Sequence, residues 1–139
     1  MLTQNGVDSS SRNFLICGAI SACTGVACGA FGAHSLRNTL TPEMLAIFET
    51  AARYQMYHAF ALMITALSAK QWGTPGISKF KLAGWSFALG TVLFSGSLYL
   101  LSVTGERWLG AITPFGAVAF LTGWVMLAWA ISNSHKNGT

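Results

Sequence analysis

Charge is what this chain has least of: 9% of its 139 residues are Asp, Glu, Lys or Arg, against roughly 25% in a soluble globular domain. That scarcity excludes a solvated charged shell. Its four acids, Asp8, Glu43, Glu49 and Glu106, lie at or outside the ends of apolar runs. The eight bases lie at or outside the ends of apolar runs, and a net charge of +4 spread so thinly points to anionic lipid headgroups, with no nucleic-acid patch. There are only three cysteines, Cys17, Cys23 and Cys28. Their spacing matches no zinc motif and their odd number excludes a disulfide framework, so they read as small packing residues in an apolar helix. Two histidines near the apolar runs, with no carboxylate beside them in the membrane, make no metal site, and no nucleophile elbow, phosphate loop or haem-attachment motif occurs. We therefore expect no catalytic residues, no cofactor and no enzyme.

What is abundant is apolar surface, at 53% of residues with a mean hydropathy of +0.51. Long uncharged runs at this frequency predict an all-α membrane protein, a four-transmembrane-helix bundle with helices at about 14–33, 43–69, 82–104 and 114–131. The transmembrane domain would occupy 13–134, between a polar flexible tail at 1–12 and a short polar tail at 135–139. His34 to Leu40 reads as a connection. Thr41-Pro42 reads as an N-cap followed by proline at the first helical position, with Glu43 in the first turn. Lys70 to Lys81, with Gly73, Pro75 and Gly76, reads as a loop. Gly105 to Ile112 would be irregular or interfacial before Thr113-Pro114 starts the last helix. The five tryptophans lie mostly near run ends, as aromatic belts do. In the first run Ser21, Gly25, Gly29 and Ala33 recur every four residues. That pattern predicts a helix-packing face too crowded for anything larger than alanine.

The chain's polar chemistry is concentrated between Thr50 and Ala69. Sixteen uncharged residues from Tyr54 to Ala69 cover about 24 Å, so Arg53 should lie near one membrane face and Lys70 near the other. Glu49, Arg53 and Tyr57 share one helical stripe, and Tyr54 and His58 share the next. Arg53 reads most simply as an anchor flanked by Tyr54 and Tyr57. An ionisable residue within a membrane helix, as His58 is, marks a functional site by default. The competing reading is a neutral imidazole bonded across helices. In either case His58 should face the interior within reach of Ser95 and Ser97, with Gly96 giving close approach. Together Arg53, Tyr54, Tyr57, His58, Ser95 and Ser97 form the candidate intramembrane polar cluster.

Four stretches, Gly29-Ala-Phe-Gly-Ala-His-Ser-Leu36, Ala52-Arg-Tyr-Gln-Met-Tyr-His58, Phe94-Ser-Gly-Ser-Leu-Tyr-Leu-Leu101 and Thr113-Pro-Phe-Gly116, resemble in order the hallmark stretches of the YgdD/YwdK-like small inner-membrane proteins. The resemblance runs from Phe14 to Ile131. It implies four transmembrane helices in a bacterial inner membrane and no settled activity. Ala117 and Ser35 depart from the family pattern, which more often has glycine at both places. Counting Lys and Arg in the short connections puts Arg12, Lys70, Lys79, Lys81 and Lys136 on one side and Arg37, Arg53 and Arg107 on the other, which favours cytoplasmic termini. The function expected is a structural or accessory component of a membrane complex, whose partners are the bilayer and other membrane subunits or further copies of itself. The alternative is a small oligomeric transporter or channel.

Overall fold

The structure, a computed structural model, describes residues 9–134, without the side chains of 74–76. Helix α1 runs Ser9–Phe31 and continues as one π turn, Gly32–Leu36. Helix α2 is assigned over Pro42–Gly90, a second π turn over Thr91–Ser95, and α3 over Gly96–Thr104. A 3-10 turn at Arg107–Ala111 then leads into α4, Thr113–Ser134. The start of α2 follows the expected chemistry, with the Thr41 hydroxyl accepting from the Met44 amide at 3.3 Å and Pro42 at the first helical position. Gly105 ends α3 with φ 76° and its amide donates to the Leu101 carbonyl at 2.8 Å. Only glycine takes that left-handed backbone without strain.

A straight helix of 49 residues would measure about 74 Å, more than twice a bilayer's hydrocarbon. The contacts show instead that α2 doubles back. Phe48 meets Tyr99 with ring centroids 4.8 Å apart, Tyr54 meets Phe94 at 4.7 Å and His58 meets Phe87 at 5.7 Å, so the two limbs run antiparallel. The Ser134 hydroxyl donates to the Trp72 carbonyl at 3.0 Å, and Lys79 lies over the Trp129 ring at 4.3 Å, which places the reversal between Trp72 and Lys79. The segment read from sequence as a loop from Lys70 to Lys81 is therefore helical up to and through its turn.

Three stretches, Ser9–Leu36, Ile77–Thr104 and Arg107–Ser134, are each long and apolar enough to cross a membrane. The first limb of α2 supplies the fourth leg. Its apolar part starts after Glu43, Glu49 and Arg53. Other boundaries shift outward too. Residues 9–12, expected in the flexible tail, are helical, and His34 to Leu36, expected in the connection, belong to the π turn. The rest of the expected tails, 1–8 and 135–139, lies outside the described residues.

Packing follows a period of seven. In α1 and its π turn, Ser11, Gly18, Gly25 and Gly32 are buried; in α4, Gly116, Phe120, Gly123, Leu127 and Ala130 are. Alternating steps of three and four are the seam of left-handed helix packing. A Cβ on Gly18 would meet Met63 Cγ at 2.7 Å and the Ala59 carbonyl at 2.8 Å, while one on Gly116 would collide with the backbone nitrogen of Phe94. This corrects the expected four-residue stripe. Gly25 is buried but has ordinary room, Gly29 and Gly96 have nothing within 4 Å of an added Cβ, and Ala33 is exposed. Ser21 contributes its backbone, whose carbonyl accepts from Gln55 at 3.0 Å. The packing role expected for the three cysteines is corrected for Cys17 and Cys23, which are exposed on the outside of α1, while Cys28 is part-buried.

Between the helices the interior is filled by Phe80, Phe87, Thr65, Ser95 and Ser102, all fully buried. Large apolar side chains such as Phe115, Leu121 and Val92 face outward with more than 60% exposure. Water would penalise that surface and lipid does not.

Candidate functional site

Tyr54 and His58 stand one helical turn apart on the limb of α2 that faces α4. His58 Nδ1 donates to the Tyr54 carbonyl at 2.8 Å, and Nε2 accepts from Trp124 Nε1 at 3.3 Å. An indole N–H can only donate, so this pair of bonds fixes the neutral tautomer with its proton on Nδ1. The imidazole lies flat on Phe120, with centroids 3.4 Å apart and planes 5° apart, and is 4% exposed. Since Phe120 and Trp124 occupy the middle of α4, His58 is at mid-height in the bundle.

Beside His58 a cleft of about 500 Å³ opens between α2 and α4, lined by Tyr54, Tyr57, His58, Phe94, Phe120 and Trp124, with Ala117 and Leu121 completing the wall. It faces sideways. Access is therefore from the lipid, at a depth where apolar solutes reside.

His58 does face inward, as its sequence position requires, but the serine patch is not its partner. Ser97 bonds the Phe94 carbonyl at 3.0 Å and the Thr113 hydroxyl at 2.8 Å, tying α3 to the start of α4. The Ser95 hydroxyl is buried with no hydrogen-bond partner among the described residues. Phe87 and Phe120 lie against the imidazole, so aromatic rings occupy the space through which a serine would have had to reach. Of the expected cluster, the structure brings together Tyr54, Tyr57 and His58 at the cleft. Arg53 is exposed one turn before Tyr57 on the same stripe and does not line the cleft, and among the described residues no ion pair joins it to Glu49.

Gln55, left out of the expected cluster, ties three helices together. Gln55 Nε2 donates to the Ser21 carbonyl and, at 2.8 Å, to the Thr24 hydroxyl, while its Oε1 accepts from the Tyr99 hydroxyl at 2.8 Å. One side chain thus joins α1, α2 and α3. An amide amid charged and aromatic neighbours gives little signal, although a glutamine within an apolar run must find partners somewhere. Trp124, whose indole fits a membrane belt by composition alone, instead donates to His58 inside the bundle.

His58→Gln should keep a donor and an acceptor at this point and leave thermal stability in detergent near that of the parent. His58→Leu removes both and should cost about 1 kcal/mol, within the range for a hydrogen bond between membrane helices. Melting curves followed by circular dichroism would reveal the ordering. Equal loss from both substitutions would assign the residue's contribution to ring stacking on Phe120.

Among the described residues no three His, Cys, Asp or Glu side chains converge as a metal site would need. No solved structure matches the chain. Among curated proteins, the UPF0382 membrane protein YwdK of Bacillus subtilis (strain 168) is 47% identical over 117 residues, covering 84% of this chain and 94% of that protein. A UPF0382 membrane protein of Staphylococcus epidermidis (strain ATCC 12228) is 46% identical over 117 residues, with 84% and 93% covered. A family profile described as "Protein of unknown function (DUF423)" matches residues 28–117, which takes in the connection after α1, both limbs of α2, the cleft-lining Phe94 and the start of α4. With relatives this similar along nearly its whole length, the chain is a membrane protein that belongs to the DUF423 family.

Proposed function

We propose that this protein is a non-enzymatic accessory component of a bacterial inner-membrane assembly, held to other membrane subunits or to further copies of itself through the outer stripe of α2. The observation that carries this reading is the placement of Glu49 and Arg53. Both are exposed, and Arg53 is five residues from His58, about 8 Å of rise from mid-height. An exposed guanidinium at that depth is costly unless it reaches headgroups or meets a partner group. With the bilayer centred on the bundle, this charge would stand deeper than an anchor at the membrane face. A second protein supplying an acid or a carbonyl would satisfy it. A protomer interior filled by Phe80, Phe87, Thr65, Ser95 and Ser102 weighs against conduction through one copy. Both ends of the described chain lie beside the α2 reversal, opposite the connections after α1 and α3. With Arg12, Lys70, Lys79 and Lys81 on that side, the positive-inside rule favours cytoplasmic termini.

Purification of the full chain in mild detergent tests the reading. The expected product is larger than one 14.8 kDa protomer, and Arg53→Gln should dissociate it while leaving helix content unchanged. A monomer that recovers no other subunit would overturn the proposal.

A further inference from the structure

The sideways cleft has the features of a ligand site, independent of any assembly. Its volume of about 500 Å³ falls in the range of small-molecule sites, roughly 300–1,000 Å³. Three of its rings are close to parallel. His58 and Phe120 differ by 5°, Tyr54 and His58 by 20°, and Tyr54 and Phe120 by 26°. Two phenols stand on its wall, Tyr54 at 37% and Tyr57 at 54% exposure, and among the described residues neither hydroxyl has a hydrogen-bond partner. A hydroxyl bordering hydrocarbon loses free energy unless something accepts its proton.

These observations choose among lipid-soluble occupants. An acyl chain would fill the volume but offer the phenols no acceptor. His58 and Phe120 are stacked on each other and only 4% and 5% exposed, which leaves the 37% exposed Tyr54 ring as the accessible end of this parallel set. A flat ring stacks on such a face, and ring oxygens pointing at the rim would accept from the tyrosines. The geometry points to binding of a lipid-soluble quinone-class molecule, with its carbonyl-bearing ring between α2 and α4 and its tail in the bilayer. His58, its Nε2 already held by Trp124, acts as a positioning residue that keeps the indole and the Phe120 ring in place as walls. Trp124 and Ala117 come from α4, while Tyr54 and Tyr57 come from α2. The site therefore exists only when these two legs are packed.

The test uses the full chain in lipid nanodiscs with decylubiquinone as probe, counting quinone retained per protein above that in empty nanodiscs of the same lipid. Retention should saturate at about one quinone per protomer. Ala117→Leu, which fills the cleft from the α4 side, should raise the half-saturating load roughly tenfold. Tyr57→Phe, on an exposed side chain with no packing role in the core, should raise it roughly fivefold through one lost hydrogen bond. Retention no greater than in empty nanodiscs would overturn the proposal, as would a parent-like response of the Tyr57→Phe protein. Displacement of the probe by an equal amount of oleate would also overturn it, by identifying an acyl-chain slot.

Discussion

Gly116→Ala is expected to be among the most damaging single-methyl changes in this protein, lowering stability in detergent by about 3 kcal/mol. The new Cβ would collide with the backbone nitrogen of Phe94 and approach its Cα at 2.8 Å. A side chain could rotate away, but this obstacle is main chain inside the π turn Thr91–Ser95. Relief would therefore require α4 to move outward from the second limb of α2, opening the seam that Phe87, Gly123 and Phe120 close. Gly29→Ala is the matching control. With nothing within 4 Å of its Cβ, alanine there should be neutral or stabilise by up to about 1 kcal/mol through helix propensity. Reversible unfolding in mixed detergent micelles would measure both, and equal stabilities would refute the seven-residue seam as the source of close packing.

The second large effect is expected at Gln55, where leucine keeps much of the volume and removes every hydrogen bond. Three bonds at about 0.6 kcal/mol each, the mean for membrane helices, predict a loss of about 2 kcal/mol. The Tyr99 hydroxyl would then be left without its acceptor. Removing both partners of a buried bond costs less than removing one, so Gln55→Leu with Tyr99→Phe should be more stable than Gln55→Leu alone. If the double variant is instead weaker by the sum of the single losses, the two side chains act independently and the junction of α1, α2 and α3 does not depend on this bond.

The fold was legible in the sequence because membrane insertion is written in run lengths, and four runs separated by charged or turn-rich segments leave little choice of architecture. Thr41-Pro42 and Gly105 were legible for a different reason. Each satisfies a local backbone need that does not depend on what packs nearby. The seam was not, since Ser21-Gly25-Gly29 and Gly18-Gly25-Gly32 share a glycine, and only the neighbouring helix decides which spacing faces inward. His58 could be placed inside from its cost in lipid, yet its partner could not be named, because serine and tryptophan both satisfy a ring nitrogen. Register between legs settled that choice. Lys70 to Lys81 looked like a loop because glycine and proline disfavour helix in water. In lipid the cost of unsatisfied backbone groups favours keeping the helical bonds close up to the turn.

The π turn at Thr91–Ser95 has a consequence for chain length. Its closing bond runs from the Gly96 amide to the Thr91 carbonyl, one residue wider than an α-helical bond, so this leg contains a single residue beyond what a regular helix would need. Deleting one residue there would give the leg better local hydrogen bonding. It would also rotate everything downstream by about 100°, carrying Tyr99 away from Gln55 and Ser97 away from Thr113. Among homologous chains, a gap of one residue in this segment should therefore coincide with changes at Gln55 and Thr113, whereas gaps in the connection after Gly105 should leave both unchanged.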